Sequence, residues 1–286
     1  MSYKQILCEE IEPGIVKITL NRPEKRNAID NLTVEELQDA FMTSDLNDDV
    51  RVIVLAGAGK DFCAGYDLSG KGEPAKGQVL SAVKDSKLTG MEKRLKTTEY
   101  FTINQALAIR DVSKPTIAMV QGNCIAAGLL YASMCDIIFA SEDAQFIDPL
   151  TRWAHAGFEL LIEPYNLGFR KAKEVIWTGD PLPAKEAKEY GMVSKVVPRE
   201  KLEEETMLLV RKIAKNQPIA IRMTKKSINQ AWDYMGQRDA WQYHLLAHEL
   251  SHLSDEEKRW QETRAKAEKE GGVKAVIKAR DDKFKK

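Results

Sequence analysis

Four cysteines in 286 residues, Cys8, Cys63, Cys124 and Cys135, are too few and too scattered for a disulfide scaffold, and no CxxC pair marks a zinc site. Each sits in or beside an apolar segment, so they read as core thiols. No apolar run reaches the roughly 18 to 20 residues that a membrane-spanning helix needs. The N-terminus, MSYKQILCEE, lacks a secretory apolar core and the Arg and Ser bias of a transit peptide, so a cytoplasmic protein is expected. Neither charge is in excess. With 43 basic and 43 acidic side chains, a general affinity for nucleic acid or an anionic membrane is not expected. There is no internal repeat or low-complexity tract. What remains is a chain 43% hydrophobic and 30% charged, enough for one large globular domain or a domain with an appendage, and it favours small-molecule chemistry.

Ile15 to Leu20 alternates apolar and polar residues before Asn21-Arg22-Pro23, which predicts a half-buried strand ending in a loop. Thr33 and Glu36 match a capping box, and Val34, Leu37, Ala40 and Phe41 continue one apolar helical face to about Leu46. Val52 to Ala56, Thr116 to Val120 and Ile137 to Ala140 are short continuous apolar runs, as strands buried on both faces would be. Strands alternating with helices predict an α/β fold. Ser69 to Gly77 reads as a loop, and Val79 to Arg110 as mostly helical. A short helix from Ala184 ends on Gly191, an extended piece follows over Met192 to Val197, and from Glu200 the chain is nearly all helix. A division near Pro198 gives a core of residues 1–198 and a helical region of residues 199–286.

Two glycine-containing turns carry the strongest chemical signal. Lys60 to Leu68, sequence KDFCAGYDL, follows a strand and a Gly57-Ala58-Gly59 turn; Val120 to Gly128, sequence VQGNCIAAG, follows another strand and leads into a helix ending at Cys135-Asp136. Small residues let a ligand approach the backbone, and free N–H groups at a turn or helix N-terminus can hold developing negative charge. Neither turn fits the GxGxxG or GxxxxGK[ST] nucleotide fingerprints.

Together with Asn21 to Ala28 (NRPEKRNA), Phe62 to Leu68 and Gly122 to Asp136 resemble the signatures of the crotonase (enoyl-CoA hydratase/isomerase) family, in their usual order. Ala144-Gln145-Phe146, Thr178-Gly179-Asp180, Ala184 to Val193 and Val196-Val197-Pro198 extend the match, which covers about residues 3 to 230. The resemblance implies a crotonase-type core of repeated ββα units with a C-terminal helical region, a homotrimer or dimer of trimers, and an acyl-CoA substrate. It implies no metal and no cofactor beyond the coenzyme A of the substrate. It makes the backbone N–H groups of Tyr66 and Ala127 the oxyanion pair, with Ala127 where the family usually has glycine. It places Lys25, Arg26, Ala28, Ala64 and Asp67 around the CoA moiety, and makes Asp136 structural. Gly271 to Phe284 resembles the family's last helix, which closes over a neighbouring subunit.

The chain departs from the family where two catalytic glutamates would stand, since those positions hold Leu130 and Leu150. Leucine cannot move a proton. Nearby ionisable residues are Asp148, Arg152, His155 and Glu159. Glu159 is the leading acid/base candidate, because other branches of the family carry an acid late in this segment; His155 and Asp148 stand behind it, Asp148 also reading as a turn residue before Pro149. His244, His248 and His252 recur at helical spacing and read as a solvated face without a metal-ligand set. The long stretch between Asp67 and Lys114, with Trp153, Phe158, Tyr165 and Phe169, favours a bulky or cyclic acyl group. A hydratase or lyase is the first reading. Isomerase, carbon–carbon hydrolase and a catalytically impaired CoA-thioester binder remain open, and a basic tail (Lys274, Lys278, Arg280, Lys283, Lys285, Lys286) is the one feature favouring an RNA-binding relative.

Overall fold

The structure, a computed structural model, describes residues 3–69, 72 and 87–284. Nine strands and ten α-helices are described, beginning with β1 (Ile6–Glu12), β2 (Ile15–Leu20), α1 (Asn31–Leu46) and β3 (Val52–Gly57). Then come α2 (Gly90–Thr98), continued through a π-helical turn over Glu99–Ile103 into α3 (Asn104–Asp111), and β4 (Thr116–Val120). The glycine turn leads through β5 (Asn123–Ile125) into α4 (Ala127–Met134), followed by β6 (Ile137–Ser141) and β7 (Gln145–Ile147). After α5 (Glu163–Thr178) come β8 (Leu182–Pro183), α6 (Ala184–Glu189) and β9 (Lys195–Val197). Helices α7 (Leu202–Ala214), α8 (Pro218–Tyr234), α9 (Gln237–Ser251) and α10 (Asp255–Asp281) complete the chain.

The main sheet runs β1-β2-β3-β4-β6-β9, with β1 antiparallel to β2 and all other pairs parallel; β5, β7 and β8 form a second, smaller sheet. This is the α/β, crotonase-type core expected. One face of the main sheet packs Ile18, Ile53, Leu55 and Ala118 with Leu37 and Phe41 of α1; the other packs Val52, Val54, Ile117 and Phe139 with Leu202, Met207 and Val210 of α7. Each fully buried large apolar side chain contributes about 1.5–3 kcal/mol. Because both faces are covered, β2 is buried almost throughout and not the half-buried strand its alternation suggests; Thr19 is only 9% exposed. The last strand ends at Val197, next to the proposed division at 198, yet α7 belongs to the packing of the sheet.

Helix α1 starts three residues earlier than the Thr33 capping box implies. Asp30 is the cap, accepting from Thr33 N at 2.9 Å, and Glu36 accepts instead from the backbone N–H groups of Lys4 and Gln5, both at 2.8 Å. Gly191 (φ 88°) closes α6 as expected. The expected Ser69–Gly77 loop and the start of the 79–110 helical stretch fall largely outside the described residues; from Gly90 the stretch is helical. The last helix bends at Gly271-Gly272 and returns to its own chain, where Arg152 meets Asp281 at 3.3 Å and lies 4.3 Å from the Phe284 ring centre. All four cysteines are free thiols, three of them buried.

Candidate active site

Three segments are sewn together by buried polar side chains. The Arg22–Ala28 loop turns through two left-handed residues, Arg26 (φ 52°) and Asn27 (φ 55°). Asparagine tolerates that region better than most residues, and Asn27 is 1% exposed because its amide is fully used. Its Nδ2 donates to the carbonyls of Ala58 and Asp61, both at 2.8 Å, and of Phe62 at 3.2 Å, while its Oδ1 accepts from Arg22 N at 3.0 Å. Arg22 reaches Asp67 at 3.1 Å and Asp30 at 3.4 Å, and donates to the Ala28 carbonyl. Asp61, 2% exposed, accepts from Asn123 N at 2.9 Å and Asn123 Nδ2 at 2.7 Å, which locks the second glycine turn to the first.

This frame leaves two backbone amides without acceptors. Ile29 N donates to Gly65 O and Asp67 N to Ile29 O, both at 2.8 Å, an exchange that skips the Tyr66 N–H. On the other segment Ala126 N donates to Ile147 O at 3.0 Å, and Ala127, as the first residue of α4, has no intrahelical acceptor. Among the described residues neither N–H has a hydrogen-bond partner. Ala126 sits at φ 50°, ψ −119°, a region glycine prefers, so the turn before Ala127 is held under strain. The two turns touch: a Cβ built on Gly65 (φ 87°) would stand 3.7 Å from Ala127 N, and one on Gly128 would stand 2.6 Å from the Cys63 Cβ. The partial positive charge of the α4 N-terminus falls on the same place.

Glu159 stands beside these turns. Burial pushes its carboxyl up to about 7, with Glu249 adding to the rise and Arg94 opposing it. Burial followed by the nearby Glu159 charge lifts the Tyr66 phenol above its ordinary value, and Glu159 also contributes at Tyr131. Those two hydroxyls lie 3.4 Å apart, and Tyr66 Oη donates to Thr102 Oγ1 at 3.1 Å. Glu249, 3% exposed, is held by Arg94 at 2.5 Å and by the Thr98 hydroxyl at 2.7 Å. The helical 90–103 stretch thus supplies one wall.

Asp148 is fully buried and caps a turn by accepting from Leu150 N at 3.0 Å. Burial pushes it up to about 7. Its neighbour Glu163, 3% exposed, is raised well above the carboxylate range by burial and then by Asp148. The carboxyls of Asp148 and Glu163 are hydrogen-bonded to each other, and since a carboxylate oxygen can only accept, the pair shares a proton.

His155 faces away from this acid group. Its ring lies 3.9 Å from that of His252, its Nε2 is 3.2 Å from Glu257 Oε2, and burial pulls its pKa down to about 3. The expectation of a solvated face for His244, His248 and His252 is not met. His248 is 2% exposed with Nδ1 donating to Gly157 O at 2.9 Å, and His244 Nε2 contacts Phe158 O at 2.9 Å. The face is covered because α9 packs on the 148–159 segment, a contact that helical periodicity cannot show.

Lys25 and Arg26 are exposed on the loop, and Ala64 is tied beside them through Ala64 N to Arg26 O at 3.0 Å. Asp67 commits its carboxylate to Arg22 and to Ser69 N. Leu130 is fully buried in α4, and Leu150 packs against the core. Asp136 accepts from Thr116 N at 2.7 Å and pairs with Lys225 at 2.8 Å, a structural role. Asn27, Arg94, Glu163 and Glu249 were not singled out by the sequence; only the Asn27 motif position offered a signal. An apolar cavity of about 390 Å³ between Met134, Ile162, Ile228 and Trp241 contains none of the candidate residues.

The enoyl-CoA hydratase/isomerase family model matches residues 10–271. The Mycobacterium tuberculosis protein EchA13, which carries the name of an enoyl-CoA hydratase, is 37% identical over 258 residues, covering 87% of this chain and 81% of its own length. An enoyl-CoA hydratase/isomerase from Xanthobacter autotrophicus Py2 is similar over 100% of both chains with 29% identity and a TM-score of 0.84. The crystal structure of a probable enoyl-CoA hydratase from Mycobacterium smegmatis matches 88% of this chain and 95% of its own, with 36% identity and a TM-score of 0.78.

Proposed function

This chain belongs to the enoyl-CoA hydratase/isomerase family, and from that premise we propose that it hydrates a bulky or cyclic enoyl-CoA using one carboxyl group in place of the family's usual two. The observation that carries this reading is the Glu159 carboxyl, brought to about 7 by burial and close enough for its charge to act on the phenol of Tyr66, the residue that bears the first free amide. A group poised near neutrality serves as base and then as acid in one cycle.

In the proposed cycle Lys25 and Arg26 hold phosphates of CoA, while the backbone at Ala28 and Ala64 borders its adenine and pantetheine parts. Asp67 acts through Arg22, holding the loop in place. The thioester oxygen accepts from Tyr66 N–H and Ala127 N–H. Glu159 takes a proton from water as its oxygen bonds to Cβ, the double-bond electrons move to the thioester oxygen as an enolate, and the two amides stabilise that charge. The protonated Glu159 then delivers its proton to Cα. The water is added whole and the carboxylate is regenerated. Asp148, itself raised by burial and by the nearby Glu159 charge, does not touch substrate, and His155 does not take part.

Isomerisation is the second reading, favoured by the same single acid: Glu159 would take the α-proton and return it at Cγ through the same enolate. Leu130 and Leu150, both packed in apolar surroundings, supply no acid at their own positions to hold water. The exposed Ile219, Met223, Ile228, Tyr243 and Leu246 on α8 and α9 support assembly as a homotrimer or dimer of trimers. A screen of cyclic and branched enoyl-CoA thioesters, following water addition and double-bond migration by mass and ultraviolet absorbance, tests the reading. Turnover of either kind, lost in Glu159→Gln, supports it; binding of acyl-CoA with no turnover of any thioester refutes it.

A further inference from the structure

Away from the acid group, His155, His252 and Glu257 each present a ligand atom, and the three atoms lie within 4.8 Å of one another. We propose that they form a binding site for a divalent transition-metal ion of the zinc class. Nothing in the sequence pattern suggested it, and the expectation of no metal is set aside on this geometry. The site joins His155, within the 148–159 segment, to the end of α9 and the first turn of α10.

The hydrogen bonds fix which nitrogen is free. A backbone carbonyl can only accept, so the 2.9 Å contact of His248 Nδ1 with Gly157 O makes Nδ1 the protonated nitrogen of His248. In a neutral ring its Nε2 is then a lone pair, and the 3.2 Å contact from His252 Nε2 requires the proton on His252 Nε2. That leaves His252 Nδ1 as a bare lone pair, 3.7 Å from Glu257 Oε1. Two acceptors facing each other repel unless a cation lies between them.

The third ligand shows the same want of a partner. His155 Nε2 and Glu257 Oε2 are buried and 3.2 Å apart, yet neither makes an aligned hydrogen bond. Zinc bonds of about 2.0–2.1 Å set tetrahedral ligand atoms about 3.4 Å apart. The His155 Nε2 to Glu257 Oε2 spacing of 3.2 Å lies close to that value, and His252 Nδ1 lies 3.7 Å from the other carboxylate oxygen, Oε1. Supporting contacts are in place as well: His248 orients His252, Gln261 Nε2 donates to Glu257 Oε1, and Ser254 Oγ caps Glu257 N at 3.1 Å. A cavity of about 460 Å³ bordered by Arg94, His252, Glu257 and Gln261 gives an entry path and room for a water ligand. Arg94 and Arg264 bear on the cluster with positive charge, which offsets part of the attraction; Arg94 is itself paired with Glu249 at 2.5 Å. Such an ion would tether the segment bearing Glu159 to α9 and α10.

The full-length protein, stripped with a chelator and titrated calorimetrically with zinc chloride, is expected to bind about one equivalent per chain below about 1 µM. Cobalt(II) in place of zinc should give the visible bands of a four-coordinate site. His252→Gln and Glu257→Gln should each weaken binding by about 100-fold or more, while His244→Gln, on the same helix and outside the ligand set, leaves it unchanged. A second readout does not depend on the variants folding: anomalous scattering at the zinc edge from zinc-soaked crystals of the unaltered protein should peak between His155 Nε2, His252 Nδ1 and Glu257. Zinc binding weaker than about 100 µM, binding unaffected in both folded variants, or an anomalous peak elsewhere overturns the proposal.

Discussion

Gly65 and Ala126 approach so closely that a methyl group on Gly65 would stand 2.9 Å from the Ala126 Cβ and 3.1 Å from the Ile125 carbonyl oxygen. Gly65 also has φ 87°, which a side chain disfavours. Both free amides hang on this contact, since each belongs to the residue following one of the pair. Gly65→Ala should therefore lower turnover by about 100-fold or more, the loss expected for a displaced oxyanion donor, and reduce stability by about 1–3 kcal/mol. Steady-state kinetics alongside thermal unfolding checks both.

Glu159→Gln keeps size and removes the titrating group. Turnover of the identified substrate should fall by roughly 100-fold or more with CoA-thioester binding largely kept. In the unaltered protein, the base form exists above the raised pKa, so kcat/KM should climb with pH through about 7. The residual rate of Glu159→Gln should lack that limb.

The Asp148–Glu163 pair sets a slope of stability with pH. Both pKa values are raised in the folded protein, Asp148 to about 7, so the pair's contribution is complete below the ordinary carboxyl range and is lost as pH rises through the folded values. His155, His248 and His252 slope the other way, because their depressed values cost stability as pH falls below about 6.5. Comparing Glu163→Gln with the unaltered protein cancels the histidines. The variant should gain in Tm relative to the parent by roughly 5 °C between pH 5 and pH 8. A constant difference across that range counts against the shared proton.

Much of this fold can be read along the chain, because Val52–Gly57 and Thr116–Val120 are buried on both sides and show it as unbroken apolar runs. The two turns are legible for a similar local reason: their glycines and alanines are where backbones meet. What the sequence hides is long-range. Glu36 is diverted from its helix cap by the N–H groups of Lys4 and Gln5, some thirty residues away. His244 and His248 of α9, with His252 just after it, and the start of the acid segment at Asp148 are about a hundred residues apart, and only the packing of α9 shows that His248 is a buried donor to Gly157. Glu249 and Arg94 meet across a still longer gap of 155 residues.

Leu130 is fully buried, and no second carboxyl stands in its place on α4. Hydration of crotonyl-CoA, a small linear substrate that depends on two acids to position water, should be absent or far slower than that of a two-glutamate hydratase. Following loss of the conjugated thioester absorbance with purified protein measures it, and rapid hydration that survives Glu159→Gln contradicts the single-acid reading.

The most direct test is a crystal structure with a bound acyl-CoA. The thioester oxygen should lie within about 3 Å of both Tyr66 N and Ala127 N, with the Glu159 carboxylate facing the α and β carbons of the acyl chain. A thioester oxygen bound elsewhere, or a Glu159 side chain turned away from those carbons, would contradict it.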